Sequence, residues 1–420
     1  MSLNDDQAAK ADLSDVAVQK CPWEAYQLLR DEAPVHHMPD TGMYVVSRYE
    51  DICQIVRDPA RFSMAPNREF LFKTDEAKQY YEDHGYPRFT PLSTDPPYHT
   101  EFRGLLEPFF TAGRIRQWEP ALRDLIEDLA GNLETDDAVD FVQAFCFPLP
   151  MSVMTILLGL PLEDHEILKH WTDVWVLPFS HAMSPEQEMY VAKEGVKLQD
   201  YILAALDEKR KNPKDDLLTM LVQTRREDGS ELTTKEMLGF AEQAVVGANE
   251  TTQNGIAMAM RMLIQNPGVE ERLRREPKKI RNFVEECLRL QSPTAGMYRW
   301  AKEDIEMHGV TIPKGSVVHL RFAAGNRDER HFPDPGTLDL DRANAASHLA
   351  FSQAVHHCLG APLARLELNL SFEILLKRRQ NFRFAQEEGN FDHVPGLALR
   401  QLEYLWIKSD PAAAQAADAA

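Results

Sequence analysis

The chain has 420 residues, of which 44% are hydrophobic and 27% are charged, and its formal net charge is −20. The composition is typical of a globular protein, and the strong negative charge argues against binding to nucleic acid or to an anionic membrane surface. The most apolar run, residues 147–162, is interrupted by three prolines and is too short to span a bilayer.

Cysteine usage and the two ends of the chain predict its compartment and its ordered region. The five cysteines are widely scattered and form no CxxC pair, so we expect no disulfide framework and a reducing compartment. The start of the chain lacks the basic and apolar regions of a signal peptide, so we expect a cytoplasmic protein. We expect disorder in residues 1–15 and 409–420, and a single domain over residues 16–408.

The first hundred residues predict short elements followed by a long loop. The pattern indicates a helix over 22–32, a strand pair at 35–37 and 43–47, and a helix over 50–57. Residues 62–97 have little periodicity and many aromatic residues, so they either cap a ligand pocket or form a partly helical surface insertion. Their basic residues, which leave a carboxylate-bearing ligand possible, include Arg68, Lys73, Lys78 and Arg88.

Two prolines at 96 and 97 predict the start of the next helix. His99 and Arg103 are then four residues apart on one helical face. Two basic side chains on one face suit a carboxylate group, and the alternative is a solvated basic pair. Beyond them, residues 118–222 are helical by pattern, and the apolar group around Trp171 and Trp175 is either helix core or the border of a substrate pocket.

A long helix is predicted over residues 233–265, from a capping box at Thr233–Glu236 to Asn266. It should be about 50 Å long, and its apolar character should carry it through the interior. Its middle, residues 246–252, contains glycine, a carboxylate and hydroxyls, which are poor helix chemistry. Such local costs often mark function, and the alternative is an exposed polar turn on a surface helix.

The C-terminal third predicts a helix over 278–290, in which Glu286 and Arg289 can pair at a spacing of three. A strand-rich stretch follows from about residue 298. Cys358 then lies at the start of a predicted helix, where backbone N–H groups and partial positive charge favour a thiolate. One thiolate is too few for a structural zinc or an iron–sulfur cluster, so Cys358 is either a haem-iron ligand or a buried structural residue.

Four stretches, in this order along the chain, resemble the motifs of the cytochrome P450 family. His99/Arg103 resembles the C-helix pair, residues 247–251 resemble the oxygen-activation motif, Glu286/Arg289 resembles the K-helix pair, and residues 351–360 resemble the haem-binding loop. In that loop, Ser352 and Ala354 replace two glycines. The family also has an arginine that completes a triad with the K-helix pair, and here Thr337 aligns with it. Either Arg342 or another cation substitutes, or the network has two members.

The resemblance implies a mainly α fold, with a large α-rich domain, a smaller β-rich region, and haem b between the long central helix and the cysteine loop. It also implies roles for particular residues. The implied catalytic residues are Glu250 and Thr251, and the implied iron ligand is Cys358. The implied haem contacts are His99, Arg103, Ala248, Arg299, Phe351, His356, Cys358 and Gly360, and the implied structural pair is Glu286 and Arg289. The expected pocket residues are Phe89, Trp175, Val246, Ala295, Met297 and Leu397.

The implied activity is that of a monooxygenase that inserts one oxygen atom of O2 into a C–H bond of a small hydrophobic substrate, such as a terpenoid, steroid, fatty acid or aromatic compound. Electrons would come from NAD(P)H through a ferredoxin or flavodoxin, which would dock on a face of basic residues. We expect the protein to be a monomer. The residues expected in that face are Arg103, Arg114, Arg116, Lys377, Arg378 and Arg379. The alternatives are a peroxide-driven peroxygenase, a non-enzymatic haem-binding sensor, and a helical scaffold without a cofactor.

Overall fold

In the computed structural model, which describes residues 5–65, 72–180 and 183–412, the chain folds mainly into α-helices. The helices are α1 (Asp5–Lys10), α2 (Val16–Lys20), α3 (Trp23–Glu32), α4 (Tyr49–Val56), α5 (Asp75–His84), α6 (Tyr98–Leu106), α7 (Ala112–Gly131), α8 (Pro148–Leu158), α9 (His165–Ser180), α10 (Pro185–Lys211), α11 (Leu217–Gln223), α12 (Thr234–Gln265), α13 (Val269–Arg275), α14 (Ile280–Gln291), α15 (Phe322–Gly325) and α16 (Ala361–Arg378). None of these helices combines the length and the hydropathy that a membrane span requires.

Internal contacts divide the chain into two units. Unit 1 comprises residues 1–64, 116–147 and 251–420, and unit 2 comprises residues 65–115 and 148–250. The strands that the structure describes all belong to unit 1. They are β1 (Val35–His37), β2 (Tyr44–Val46), β3 (Phe62–Ser63), β4 (Val139–Asp140), β5 (Met297–Ala301), β6 (Ile305–Met307), β7 (Val310–Ile312), β8 (Val317–Leu320), β9 (Arg379–Phe384), β10 (Phe391–Val394) and β11 (Gln401–Pro411).

The strands of unit 1 form three sheets. One has the order β1-β2-β8-β5-β3, in which β2 and β8 are parallel, and a second has the order β10-β11-β4 with β9 also paired to β11. The β6-β7 hairpin is the third. The five-stranded sheet packs on α4, whose buried residues Tyr49, Ile52 and Val56 recur at helical spacing. Asp328 caps α4, because its carboxylate accepts a hydrogen bond from the Tyr49 amide at 2.9 Å.

Unit 2 contains a core of its own between α5, α9 and α10. Tyr81, Val174, Val191 and Val196 pack there, together with Phe72. The predicted capping box at the start of α12 is present, with the Glu236 amide donating to Thr233 Oγ1 at 3.3 Å and the Thr233 amide donating to Glu236 Oε2 at 2.8 Å. These bonds hold the first turn of the long helix.

The sequence-based boundaries differ from the structure in three places. Residues 62–97, predicted as a loop, contain α5. Residues 66–71 of this stretch, which include Arg68, lie outside the part of the chain that the structure describes. Within residues 1–15, which we expected to be disordered, the structure describes α1, and Ala11 and Leu13 are buried against α3. Within residues 409–420, Ser409 lies in β11 and accepts hydrogen bonds from the Arg379 guanidinium.

Candidate functional site

The loop before α16 carries Cys358 to the start of that helix. The Cys358 amide donates a hydrogen bond to the Phe351 carbonyl oxygen at 2.8 Å, which closes the loop. Cys358 is exposed, and a Cβ placed on Gly360 would lie 3.9 Å from its sulfur. Because α16 begins at Ala361, the sulfur lies at a helix N-terminus, where backbone N–H groups stabilise negative charge. The loop therefore presents one exposed sulfur to a ligand.

Two residues of this loop have left-handed backbone conformations. Ser352 has φ of 56° and Ala354 has φ of 57°, in the region that glycine adopts without steric cost. A non-glycine residue there costs on the order of 1 to 2 kcal/mol. The chain thus keeps the conformation that two glycines would permit, although it has neither glycine.

A buried network of three charges lies between α14 and the segment before the cysteine loop. Glu286 accepts hydrogen bonds from Arg289 Nε at 2.6 Å and from Arg342 Nε at 3.0 Å, and all three side chains are buried. Burial raises the pKa of Glu286, but the hydrogen bonds and charges of the two arginines outweigh burial and leave it below its ordinary value. Arg342, and not the residue at 337, therefore supplies the third charge, while Thr337 contributes its carbonyl oxygen to Arg289.

A second buried network, which the sequence did not indicate, connects α14 to α16. Glu285 accepts hydrogen bonds from Arg365 Nε at 2.7 Å and lies 3.1 Å from His348 Nε2. The Arg365 guanidinium lies 4.5 Å from the centre of the Phe351 ring, so the same arginine contacts the start of the cysteine loop. The adjacent Glu-Glu pair in α14 was the available signal, but the partners are 63 and 80 residues away.

The charge on Glu285 should make stability depend on acidity. Burial opposes ionisation, but His348 and Arg365 lower the pKa of Glu285 to about 2. The stabilisation is present above the ordinary pKa of a glutamate and is lost as pH falls through that range towards 2. We expect the difference in unfolding free energy between the wild type and Glu285→Gln to shrink by about 2 kcal/mol from pH 5 to pH 3 in urea titrations. The exposed variant Glu387→Gln is the control, and a gap that does not change with pH would contradict the prediction.

The centre of α12 is open on one side. The helix is continuous across residues 246–252, so the glycine and hydroxyls there do not break it. A Cβ placed on Gly247 would meet nothing within 4 Å, and Gly247 is exposed although the flanking turns contain buried residues. Val246, Ala248 and Thr251 are each half-buried beside it. The middle of α12 therefore has room for a ligand next to Gly247.

Glu250 lies one residue before Thr251 on this helix. Burial raises the pKa of Glu250, the charge of Lys169 on α9 lowers it, and Asp173 raises it again, with a net rise above the ordinary value. Lys169 and Asp173 are themselves an ion pair on α9. A carboxyl group whose pKa is moved towards neutrality can both accept and release a proton, which a carboxyl of ordinary pKa does less well.

The predicted basic residues lie on three elements. In unit 2, His99 and Arg103 share a face of α6, where burial and the Arg103 charge lower the pKa of His99. In unit 1, Arg299 is buried in β5 and donates to the Tyr298 carbonyl oxygen at 2.8 Å, and His356 ends a short turn directly before the cysteine. His99 and Arg103 therefore belong to unit 2, and Arg299 and His356 belong to unit 1. Within each unit, a helix, a strand or a helical turn holds these residues in place.

The predicted pocket residues also fall into two groups. In unit 2, Phe89 is half-buried with the Lys235 ammonium 4.8 Å from its ring centre, and Trp175 carries the Arg88 guanidinium 3.3 Å from its ring. In unit 1, Ala295 is fully buried and its amide donates to the Ala398 carbonyl oxygen at 2.8 Å, beside Leu397. Met297 is half-buried in β5. Each group is thus assembled from segments that are distant in sequence.

The predicted basic docking face requires a correction. Arg379 is buried and donates hydrogen bonds to Ser409, so it cannot meet a partner protein. Most of the other cations lie beside carboxylates: Arg103 by Glu107, Arg114 by Asp215, Lys377 by Glu373, and Arg378 by Glu127 and Glu134. These acids offset the positive charge that the sequence alone suggested.

Comparison with known proteins identifies the family. The family model for cytochrome P450 matches residues 35–407. The cytochrome P450 monooxygenase PikC of Streptomyces venezuelae is 32% identical over 393 residues, which cover 92% of this chain and 91% of PikC. The chain belongs to the cytochrome P450 family, and its class of activity is that of a monooxygenase, an oxidoreductase. Membership of the cytochrome P450 family, which the four sequence motifs predicted, is confirmed.

Solved structures agree with the fold. CYP109E1 from Bacillus megaterium, solved with testosterone, is similar with a TM-score of 0.80 and 28% identity, over 92% of this chain and 99% of that one. P450BioI, solved in complex with acyl carrier protein ligated to hexadec-9Z-enoic acid, is similar with a TM-score of 0.85 and 28% identity, over 94% of this chain and 99% of that one. The predicted mainly α fold with a smaller β region is therefore confirmed.

Proposed function

We propose that this chain, as a cytoplasmic monomer, inserts one oxygen atom of O2 into a C–H bond of a small hydrophobic substrate. Electrons would arrive one at a time from NAD(P)H through a ferredoxin or flavodoxin. The observation that carries the proposal is the exposed sulfur of Cys358 at the start of α16, on a loop closed by its own backbone hydrogen bond. One of the two buried charge networks on α14 contacts that loop, because Arg365, which donates to Glu285, lies beside the Phe351 ring.

The residues present fit the haem that the family carries. Cys358 offers one accessible thiol. Gly360 has no side chain beside it, and a Cβ placed on Gly360 would lie 3.9 Å from the sulfur. Gly247 and Ala248 leave room beside α12. A haem held by a single thiolate supplies the chemistry that cleaves the O–O bond. We assign Cys358 as the iron ligand and Phe351 as the ring that packs beneath the loop.

Four basic side chains are assigned to the carboxylates of the haem. His99 and Arg103 would serve from α6, and Arg299 and His356 would serve from β5 and the cysteine loop. Carboxylates cannot be buried without partners at an acceptable cost, and arginine is suited to bind them with two hydrogen bonds. The burial of Arg299 and His99 supports this assignment, because each is a cationic or polar group held away from solvent.

Glu250 and Thr251 are assigned to proton delivery. The raised pKa of Glu250 favours a carboxyl that takes up a proton and passes it on. The Thr251 hydroxyl, next to it on α12, would hold a water that relays the proton towards the place where the haem would bind. Val246, Gly247 and Ala248 add no polar side chain to this part of the helix.

Replacing Thr251 with alanine tests this assignment. We expect product formation to fall about 100-fold while NAD(P)H and oxygen are still consumed. The reason is that proton transfer by a positioned side chain contributes a factor of about 100 to the rate. The measurement is a reconstituted assay with ferredoxin, ferredoxin reductase and a steroid or fatty-acid panel, with hydrogen peroxide counted beside product. Thr251→Ser, which keeps the hydroxyl, is the matched control. Unchanged product per NAD(P)H in the alanine variant would contradict the role.

The wild type in the same assay tests the proposed function. Oxidation that requires the ferredoxin system supports a monooxygenase. Oxidation with peroxide alone, and none with the ferredoxin system, would indicate the peroxygenase alternative. A terpenoid, steroid, fatty acid or aromatic substrate is expected, in keeping with the half-buried Phe89, Val246, Met297 and Leu397. The testosterone and the fatty-acyl ligand of the two solved relatives lie within that range.

A further inference from the structure

Four arginine side chains of unit 1 each lie over an aromatic ring. The guanidinium carbon is 3.8 to 5.0 Å from the ring centre in the pairs Arg261–Phe391, Arg321–Tyr26, Arg327–Trp23 and Arg400–Trp23. We refer to these four arginines as the arginine cluster. Within the part of the chain that the structure describes, no carboxylate lies at ion-pair distance from any of them. Aromatic faces attract cations but carry no negative charge, so the rings do not neutralise the cluster.

The charges of the arginine cluster repel one another. Burial is the main cause that lowers the pKa of Arg400 to about 10, and the charges of Arg261 and Arg321 add to that effect, while Tyr26 acts in the opposite direction. Burial likewise lowers the pKa of Arg327 to about 9, and Arg400 is among the charges that contribute. Both side chains therefore remain positive at neutral pH. Because a buried charge without a counter-charge is costly, this part of the fold favours an anion.

Two members of the arginine cluster converge on one neutral imidazole. Arg261 Nη1 lies 2.6 Å from His393 Nε2, and Arg400 Nη2 lies 3.1 Å from the same nitrogen. Burial and the two arginine charges lower the pKa of His393 to about 3, so the ring is neutral and Nε2 accepts both hydrogen bonds. A neutral ring cannot offset two guanidinium charges. The neighbouring carboxylate of Asp392 is already paired with the Lys20 ammonium at 2.8 Å.

Both of these guanidiniums keep N–H groups that no described residue accepts. The Nε atoms of Arg261 and Arg400 are buried and have no hydrogen-bond partner in residues 5–65, 72–180 and 183–412. Arg400 is 4% exposed, whereas Arg261 is half-buried. The Cys21 thiol, which interacts electrostatically with both arginines, is exposed at the end of α2. A small ion can therefore approach the pair from the side of Arg261 and Cys21.

We propose that Arg261 and Arg400 bind a small oxyanion of the phosphate type, which offsets the charge of the arginine cluster. The two guanidiniums come from α12 and from the residue before β11, and each has an Nε–H to donate to an oxygen of the anion. The burial of Arg400 excludes the carboxylates of a protein surface and the head groups of a membrane, which are too large to reach it. This inference is independent of the proposed monooxygenase reaction and gives unit 1 a second ligand.

Equilibrium dialysis of the holoenzyme against radiolabelled inorganic phosphate, at an ionic strength held constant with chloride, tests the site. We expect the wild type to bind one phosphate per chain. Arg400→Gln and Arg261→Gln should each raise the Kd about tenfold, because each removes a charge-assisted hydrogen bond. Arg383→Gln, which removes an exposed arginine of the same unit, is the matched control and should leave the Kd unchanged. If Arg400→Gln does not fold, the half-buried Arg261→Gln still provides the test.

Urea unfolding provides a second measurement. Phosphate should raise the urea midpoint of the wild type above its value in chloride, because a ligand that binds only the folded state stabilises it, and Arg400→Gln should lose this response. Phenyl phosphate distinguishes the source of the anion: tighter binding than phosphate indicates a phosphorylated metabolite, and weaker binding indicates the free ion. Either absence of saturable phosphate binding to the wild type, or a Kd that neither arginine variant changes, would overturn the proposal. The second result would mean an adventitious ion only.

Discussion

Replacing Cys358 with alanine or histidine should abolish the red-shifted Soret band that reduced, carbon monoxide-treated haem-thiolate proteins show, and should reduce oxygenation to background. The reason is that a thiolate donates electron density that an imidazole or a water cannot supply. The measurement is the absorption spectrum of the dithionite-reduced protein with carbon monoxide, together with the ferredoxin-driven assay. In the histidine variant, a carbonyl band at the shorter wavelength of nitrogen ligation is expected.

Two other cysteines serve as controls for this experiment. Cys287 is fully buried in α14, and burial raises its pKa well above the ordinary value, so it is inert as a ligand. Cys21 is exposed but lies in unit 1 at the end of α2. Cys21→Ser should leave the spectrum unchanged. A wild-type protein without the thiolate band, or a Cys358→Ala protein that retains it, would rule out the assignment of Cys358.

Replacing Glu286 with glutamine should destabilise the protein by about 3 to 5 kcal/mol, because it leaves two buried arginines without their carboxylate. Arg289 and Arg342 both donate to Glu286, and all three side chains are buried. The loss should appear as a lower urea midpoint with an unchanged slope, since the folded surface is the same. The haem should also be released more easily, because the network contacts the segment that leads to the cysteine loop.

An exposed pair provides the comparison. Glu373 forms partly exposed ion pairs with Lys377 on α16 and with Arg123 on α7, and Glu373→Gln should cost under about 1 kcal/mol. Arg342→Lys keeps the charge but loses the forked geometry, so its cost should fall between the two. If Glu286→Gln and Glu373→Gln had similar effects, the buried triad would not stabilise the fold in the way described.

Local sequence signals predicted most of the helices and the order of the motifs. The signals for the capping box at Thr233 and for the strand-rich stretch from residue 298 onward are local, and both features appear in the structure. The helix α5 was missed because its apolar positions are few, and Ala77 and Tyr81 are buried by α10 rather than by an amphipathic pattern. The strand β4 was missed because it pairs with β11, more than 260 residues later. Pairing at such a distance leaves no local trace.

The partners in the buried ion pairs were even harder to predict from the sequence. The spacing of Glu286 and Arg289 was visible in the sequence, but the choice of Arg342 over the residue at 337 depended on the path of the intervening segment. The network of Glu285, His348 and Arg365 left only the adjacent Glu-Glu pair as a signal, since each residue type is common and the spacings to the partners follow no helical period. Arg88 was noticed as one of several cations, and its stacking on Trp175 required the fold.

Ser352 and Ala354 have a consequence for how members of this family are detected. Both residues hold left-handed backbone angles without being glycine, in a loop where the Ser352 amide donates to the Leu349 carbonyl oxygen and the His357 amide donates to the Ala354 carbonyl oxygen. In this chain the cysteine loop therefore keeps its conformation without the two glycines. A search that requires two glycines would discard this chain, whereas a search on the backbone geometry around Cys358 would retain it. The same geometric search would retain other chains whose loops differ in sequence but share this backbone conformation.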